Sequence, residues 1–501
     1  MSTLDLIGQG AVILFSPEPF TMMVIGMIVG LVFGALPGFS SGNTSALMLP
    51  LTLGMSMGGA IIFICGIYVG AQYGGGIPSI LIGVPGTTGA IATVFDGYPL
   101  AQQGKADQAI GYSLYSSAFG GIVASIVAIL MIRPIASIAL AFGPAEMTLL
   151  AVLGLSIIVS IVGDNIRKGL LATVVGLLMG TMSADPALGL SRLNFGFLEL
   201  YDSLPLTPVI MGLFAFPAML DMINYQRPTA AGHKVGGKVL EGVWEAARLP
   251  MANIRASLIG LFVGIVPGAG IDIGSFMAYT QEKALSRNPE SFGKGNPLGV
   301  IAAEAANNGV TAGALVPAIT LGIPGGTTTA VMLAALTLHG VQIGPQVFQK
   351  SPGEVYAVML ACLVCSILTL PFGYLFNKIA LKILAVKASH LIPAVFAMCI
   401  IGSYSVRQYP IDMFLCLIAG VIGLMMKRGE FPLPPLILGF VLAPIAEQNF
   451  VRAILISQGD LRIFVRSPVC IGMWVIIVLA LLMPFALKLL RRRKQTTPAD
   501  A

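Results

Sequence analysis

The stretch Gly83-Val-Pro85-Gly86-Thr87-Thr88 decides the fold, because it occurs twice. It returns as Gly322-Ile-Pro324-Gly325-Gly326-Thr327, an offset of 239 residues (324 − 85). At the same offset Pro78 matches Pro317, Gly74 matches Gly313 and Gly70 matches Gly309. A second stretch, Gly34-Ala-Leu-Pro37-Gly38, returns as Gly264-Ile-Val-Pro267-Gly268, here 230 residues on (267 − 37). The extra residues fall in the polar loop 282–298, with Glu282, Lys283, Arg287, Glu290 and Lys294. Proline ends a helix and glycine frees the backbone. Helix-breaking residues thus recur in register over a whole hairpin, and the chain reads as a duplication.

Around these breaks the chain is apolar. Of its 501 residues, 56% are hydrophobic and 10% charged, where a soluble domain carries roughly 25% charged residues. So few charges cannot cover a water-soluble protein of this size, which excludes a soluble enzyme. Disordered and collagen-like chains carry far less apolar side chain. The apolar stretches run about 20 residues, the length a helix needs to cross hydrocarbon, and lack the alternation of barrel strands. The 60 glycines and 32 prolines point to interrupted helices and re-entrant hairpins. Lipid tolerates these only where the freed backbone is buried or lines a cavity. Separate segments are expected at 58–74 and 77–95, and again at 299–316 and 318–338.

Loop charge sets the expected orientation. The longest polar stretch, 224–255, carries Arg227, Lys234, Lys238, Arg248 and Arg255 and is placed in the cytoplasm. Within it, Val239 to Arg248 with Trp244 suits a short amphipathic helix at the interface. Residues 1–19 hold no Lys or Arg, so the basic start of a secretory signal is missing and the N-terminus is expected outside. The stretch 185–204, with Asp185, Glu199 and Asp202, is expected on the outer side as well. The second half is then entered from inside and the first from outside, which gives the repeats opposite topology.

The expected fold is all-α: a polytopic transmembrane helical protein with two inverted-topology repeats, broken helices and re-entrant hairpins. Its divisions are transmembrane repeat 1 at 1–225, a cytoplasmic linker at 226–255, transmembrane repeat 2 at 256–490 and a basic cytoplasmic tail at 491–501. The run Arg491-Arg492-Arg493-Lys494 anchors that tail. Inverted repeats with paired Gly/Pro interruptions are the pattern of a secondary transporter, with its site at the repeat interface near midplane. The net charge of +6 is scattered over short loops and is no nucleic-acid footprint. All six cysteines lie in apolar stretches and read as small core residues. Cys362-x-x-Cys365 lacks the second pair that a zinc site needs.

At the first interruption, Ser40, Ser41, Asn43 and Thr44 open the helix after Pro37-Gly38. Free N–H groups at a helix start carry partial positive charge and hold a carboxylate without a buried Arg or Lys. The same residues equally suit a structural turn whose hydroxyls cap the helix. The tips Gly86-Thr87-Thr88 and Gly325-Gly326-Thr327-Thr328 repeat this chemistry. Two such tips facing one another can cradle opposite ends of a short polycarboxylate. The second interruption adds Gly270, Asp272 and Ser275. An intramembrane carboxylate is costly and functional by default, so Asp272 is a candidate for a coupling cation or proton; a helix cap is the competing reading. Glu304-Ala-Ala-Asn307-Asn308 brings a carboxylate and two amides, oxygens that suit Na+. Glu304 is the second coupling candidate, or else a cap near the interface, and two adjacent buried amides need partners. Glu146, just after Pro144, reads as a first-turn partner of a helix dipole. No tightly bound metal and no cofactor are expected beyond Na+ or H+ as the coupling ion.

Several stretches belong together: Gly34-Ala-Leu-Pro-Gly38, Leu49-Pro-Leu-Thr-Leu-Gly54, Gly66-Ile-Tyr-Val-Gly70 with Tyr73-Gly-Gly-Gly76, and Asp96-Gly-Tyr-Pro-Leu100. The second half adds Val266-Pro-Gly-Ala-Gly270, Phe292-Gly-Lys-Gly295, Glu304-Ala-Ala-Asn-Asn308 and Leu321-Gly-Ile-Pro-Gly325. In order and spacing the chain resembles the large membrane subunit of the tripartite tricarboxylate transporters, the TctA-type family, over residues 20–450. The resemblance implies a multi-pass permease of the bacterial inner membrane, working with a small four-helix membrane subunit and a periplasmic solute-binding protein. It implies secondary uptake of citrate and other carboxylates on a sodium or proton gradient, with elevator-type motion. At Ile271-Asp272-Ile-Gly274 the family more often shows small or hydroxyl residues, so Asp272 either tunes the site or lies off it.

Two other classes compete. A passive ion or solute channel would line a filter with glycine-rich hairpins, but two non-identical repeats offer no symmetric filter. Tyr201-Asp202 and Gly268-Ala-Gly270-Ile-Asp272 loosely match the paired motifs of intramembrane aspartyl proteases, the second with one residue too many. The chain has no G-x-x-x-x-G-K-[ST] sequence, so ATP is not the direct energy source.

Overall fold

The structure, a computed structural model, describes residues 2–36, 39–161, 166–182, 192–201, 203–224, 238–266, 270–341, 344–384, 388–479 and 481. The α-helices among them begin with α1 (Thr3–Leu14), α2 (Pro17–Gly34), α3 (Ser41–Met48), α4 (Met57–Leu81), α5 (Ile91–Gln102) and α6 (Ala106–Leu140). Then come α7 (Pro144–Ile161), α8 (Ile166–Gly180), α9 (Leu206–Asn224), α10 (Val239–Ala247), α11 (Pro250–Ile265), α12 (Gly270–Leu285) and α13 (Pro297–Leu321). The last are α14 (Thr327–Leu338), α15 (Val347–Lys350), α16 (Pro352–Leu384), α17 (Ala388–Arg407), α18 (Pro410–Arg428), α19 (Leu433–Ile456) and α20 (Ile463–Arg466). The described residues hold no strand, as an all-α fold requires. Six described helices are long and apolar enough to cross a membrane: α2, α4, α6, α16, α18 and α19. The pair α10 and α11, bent by 84°, makes up to a seventh.

The chain forms two compact units, Met1–Ala139 with Leu206–Leu424, and Leu140–Pro205 with Met425–Ala501. In the first unit α2 lies along α4. Gly26, Gly30 and Gly34 face Phe63, Ile67 and Ala71, while Gly66, Gly70 and Gly74 face Met23, Met27 and Leu31. Positions rise together on both helices, so the two run parallel. Four-residue spacing stacks each glycine set on one face. A Cβ on Gly74 would stand 2.6 Å from the Leu31 carbonyl oxygen. The pair α11 and α13 repeats the arrangement: Gly260 and Gly264 face Ala306 and Val310, and Gly309 and Gly313 face Ser257 and Leu261.

Gly70, Gly74, Gly309 and Gly313 therefore do not break helices, contrary to the expectation from sequence. They sit inside the continuous helices α4 and α13, as do Pro78 and Pro317. In lipid, helices gain by close packing rather than by hiding apolar side chains, so small residues mark the contact. For the same reason the expected segments 58–74 and 77–95 are not separate: α4 runs unbroken to Leu81, and α13 to Leu321.

The expected amphipathic helix is α10, with Val239, Gly242 and Ala246 buried and Leu240 and Trp244 exposed. Tyr112 of α6 donates a hydrogen bond to Glu245 of α10.

In the second unit α19 packs on α7 and α8. A Cβ on Gly439 of α19 would meet the Thr173 carbonyl of α8 at 2.6 Å. Arg192 forks onto Glu447 at 2.6 and 2.9 Å. Glu146, in the first turn of α7, accepts from the Gly143 N–H (3.0 Å) and the Ser467 hydroxyl (2.7 Å), in keeping with a dipole partner. Pro37, Gly38, Pro267, Gly268, Asp185, Asp202, Arg227, Lys234 and the tail from Arg491 lie outside the described residues.

Candidate functional site

Both Pro-Gly tips are built alike. After α4, Gly83 takes a left-handed conformation (φ +69°) and the Val84 N–H returns to the Pro78 carbonyl (3.4 Å). After α13, Gly322 does the same (φ +73°), with Ile323 N–H on the Pro317 carbonyl (3.3 Å). This is a glycine-stopped helix end, which only a residue without Cβ enters cheaply. Beyond it, a Cβ on Gly86 would run into the Gly34 carbonyl, and one on Gly325 would lie 3.0 Å from the Gly264 carbonyl. The contacts recur at the offsets of 230 and 239 read from the sequence (264 − 34, 325 − 86). The Gly86 N–H also donates to the Gly75 carbonyl (3.1 Å), tying the first tip to α4.

Each tip then meets a helix of the other half. Behind the second tip, the Thr328 hydroxyl pairs with that of Ser41 at the start of α3 (2.8 Å). Gln72 of α4 donates its amide to Ser41 Oγ (2.9 Å). A Cβ on Gly42 would meet Thr327 Oγ1 at 2.5 Å. Ser40 caps α3 by accepting from the Asn43 N–H (3.1 Å), and Thr44 Oγ1 donates to the Ser40 carbonyl (2.9 Å). Behind the first tip, a Cβ on Gly89 would meet Asn307 Oδ1 and Ile271.

Between the tips α4 and α13 pass one another. Asn307 Nδ2 donates to the Gln72 carbonyl (3.3 Å), and a Cβ on Gly76 would lie 2.6 Å from Glu304 Oε1. Higher numbers on α4 meet lower numbers on α13, so these two helices run antiparallel.

The structure thus gathers Ser41, Thr327 and Thr328 at one crossing and Asn307 at the other, with Thr87 beside Gly75. Asn308, also buried, has its Cβ beside Gly121 of α6 instead. Thr88 is exposed, and the Ser275 hydroxyl is spent on the Ile271 carbonyl (3.3 Å). Gly270 and Asp272 open α12, but their side-chain placement lies outside what is described.

Glu304 is not an interfacial cap. It is fully buried within α13, where Thr93 of α5 donates to Oε1 (2.5 Å) and Ser117 of α6 to Oε2 (2.8 Å). No ion pair reaches it among the described residues.

Sequence reasoning missed Gln72, Thr93, Ser117 and Asp96. Asp96 is fully buried on α5. Its Oδ1 accepts from the N–H groups of Gly293 (2.9 Å), Gly295 (2.8 Å) and Asn296 (2.7 Å), and Oδ2 from the Tyr279 hydroxyl (2.8 Å). A buried amide and a buried acid inside apolar segments are themselves a signal, since each needs partners.

No solved structure matches the chain. An uncharacterized 52.8 kDa protein in the TAR-I ttuC' 3' region of Agrobacterium vitis is 33% identical over 475 residues, covering 93% of this chain and 94% of the relative. An uncharacterized protein in the TAR-II ttuC' 3' region of the same organism is 34% identical over 228 residues, 45% of this chain and 94% of the relative. The model of the tripartite tricarboxylate transporter TctA family matches residues 20–438. That is a transporter family rather than an enzyme family, its members work with further components of a tripartite system, and the apolar helices make this a multi-pass membrane protein. With the match covering most of the chain, the protein belongs to the tripartite tricarboxylate transporter TctA family.

Proposed function

We propose that this chain is the large permease subunit of a tripartite secondary importer of citrate-like carboxylates in the bacterial inner membrane. A Na+ or H+ gradient drives it, a periplasmic solute-binding protein supplies it, and a small four-helix membrane subunit assists. The observation that carries the reading is the exchange of tips. Thr328 behind the second tip meets Ser41 on α3 (2.8 Å), and Gly89 behind the first meets Asn307 on α13. The antiparallel passage of α4 and α13 supports repeats of opposite topology, 1–225 and 256–490, around the linker 226–255. Paired interruptions at such an interface are where secondary transporters bind.

The carboxylate binds where α3 and α14 begin together, on backbone N–H groups and the hydroxyls of Ser40, Ser41, Thr327 and Thr328, with Gly86 and Gly325 keeping the tips close. Helix starts favour an anion there. Asp272 and Glu304 are the carboxylates proposed for coupling.

Uptake of labelled citrate into proteoliposomes, with and without binding protein and under imposed Na+ or H+ gradients, tests this reading. Uptake that needs both gradient and binding protein supports it. Non-saturating flux independent of either would make the chain a passive pore.

A further inference from the structure

Three buried oxygens along α4, the first tip and α13 have no hydrogen-bond partner among the described residues: Gln72 Oε1, Thr87 Oγ1 and Asn307 Oδ1. Gln72 and Asn307 are wholly buried and Thr87 is 4% exposed. Asn307 Nδ2 is held by the Gln72 carbonyl (3.3 Å), which leaves Oδ1 turned toward Gly89 of the tip. Gln72 Nε2 is held by Ser41 Oγ (2.9 Å), which leaves Oε1 free. Thr87 Oγ1 lies against Gly75, one turn along α4 from Gln72. Buried polar atoms are nearly always paired, so three orphans on neighbouring segments call for an occupant.

We propose that this crossing binds a hard monovalent cation of the Na+ class on the neutral oxygens of Gln72, Thr87 and Asn307. The inference rests on the reading of the chain as a cation-driven transporter and assigns the ion to one of its two crossings. The chemistry of the orphans selects the ligand. Amide oxygens accept and do not donate, so they repel a carboxylate and attract a hard cation. A divalent ion is ordinarily held by carboxylates, whereas neutral oxygens suit a single charge. Glu304, one turn before Asn307 on α13, has both oxygens engaged by Thr93 and Ser117. It acts from outside the cage, as a compensating charge.

The two crossings thus differ in sign. The one at Ser41 and Thr328 offers hydroxyls and N–H groups to an anion, and the one at Asn307 offers oxygens to a cation. Gln72 belongs to both, through Nε2 on Ser41 and Oε1 in the cage, so a cation that orders Gln72 also orders the anion crossing.

The test is thermal unfolding of the purified full chain in detergent, read by a thiol-reactive dye, since all six cysteines are buried. Na+, K+ and choline are compared at constant ionic strength. Na+ should raise the unfolding temperature saturably and K+ and choline should not. Asn307→Ala should abolish the Na+ shift. Thr87→Ala, which removes an unpaired hydroxyl and one methyl and serves if the first variant does not fold, should move its midpoint at least threefold. Glu304→Gln should move the midpoint and leave a saturable shift. A wild-type chain blind to Na+, or an unchanged Na+ shift in Asn307→Ala and Thr87→Ala, overturns the site. A Na+ shift without any citrate shift would refute the carboxylate reading and leave the cation site standing.

Discussion

Replacing Asp96 should unfasten α5 from the loop before α13. The wild-type carboxylate takes three backbone N–H groups at 2.7–2.9 Å and one phenol at 2.8 Å. Gly293 (φ +84°) and Gly295 (φ +99°) hold left-handed conformations that turn those N–H groups inward. A hydrogen bond to a charged group contributes roughly 1.5–3 kcal/mol. The three backbone donors are only partly buried and water can reach them after truncation, so the lower figure applies. Four such bonds make the cost of Asp96→Ala roughly 6 kcal/mol, a large share of the roughly 5–15 kcal/mol that holds a domain together. Asp96→Asn keeps an oxygen in place of Oδ1 but loses the charge assistance and puts an NH2 donor where the Tyr279 hydroxyl donates, so the phenol must turn to accept; it should cost about half as much. Unfolding temperature by thiol exposure measures both variants, and labelling of a Ser291→Cys background reports whether the loop has come loose. An Asp96→Ala protein that melts with the wild type and leaves residue 291 unreactive would refute the reasoning. So would an Asp96→Asn protein as damaged as Asp96→Ala, since geometry rather than charge would then be at fault.

Gly74→Leu and Gly309→Leu should each lose about 1–3 kcal/mol or more by overpacking, because a Cβ there meets a facing carbonyl at 2.6 and 2.7 Å; an unchanged melting curve would deny the close helix contact. Glu304→Gln should fold within about 1 kcal/mol of wild type, since an amide still pairs with a hydroxyl, yet reduce gradient-driven citrate uptake in proteoliposomes more than tenfold; full uptake removes Glu304 from coupling. Ser41→Ala with Thr328→Ala should raise the citrate KM several-fold at unchanged expression, the loss of one or two hydrogen bonds of about 1 kcal/mol each; an unchanged KM places the carboxylate elsewhere.

What the amino-acid sequence determines by itself is whatever depends on neighbours along the chain. Too few charges for a soluble surface forces the chain into lipid, and lipid forces helices. The paired Pro-Gly tips are legible because proline and glycine act on their own backbone, and the structure ends α4 and α13 within a few residues of them. The family is legible because its motifs are local strings. Whether a glycine breaks a helix or packs one against another is not local. Gly70 and Gly74 look like breaks until α2 lies along them, and then their missing Cβ is the reason two helices can touch.

The partners of buried polar groups are the part that only tertiary structure decides. Thr93 and Ser117 reach Glu304 across 211 and 187 residues of chain, and Ser41 reaches Thr328 across 287. Nothing in the period of a helix encodes such pairings; they arise because α4 and α13 cross antiparallel and carry both tips to the crossing. Asp96 shows the division most plainly: its motif is visible in the sequence, but its role comes from a loop 197 residues away that folds its N–H groups around the carboxylate.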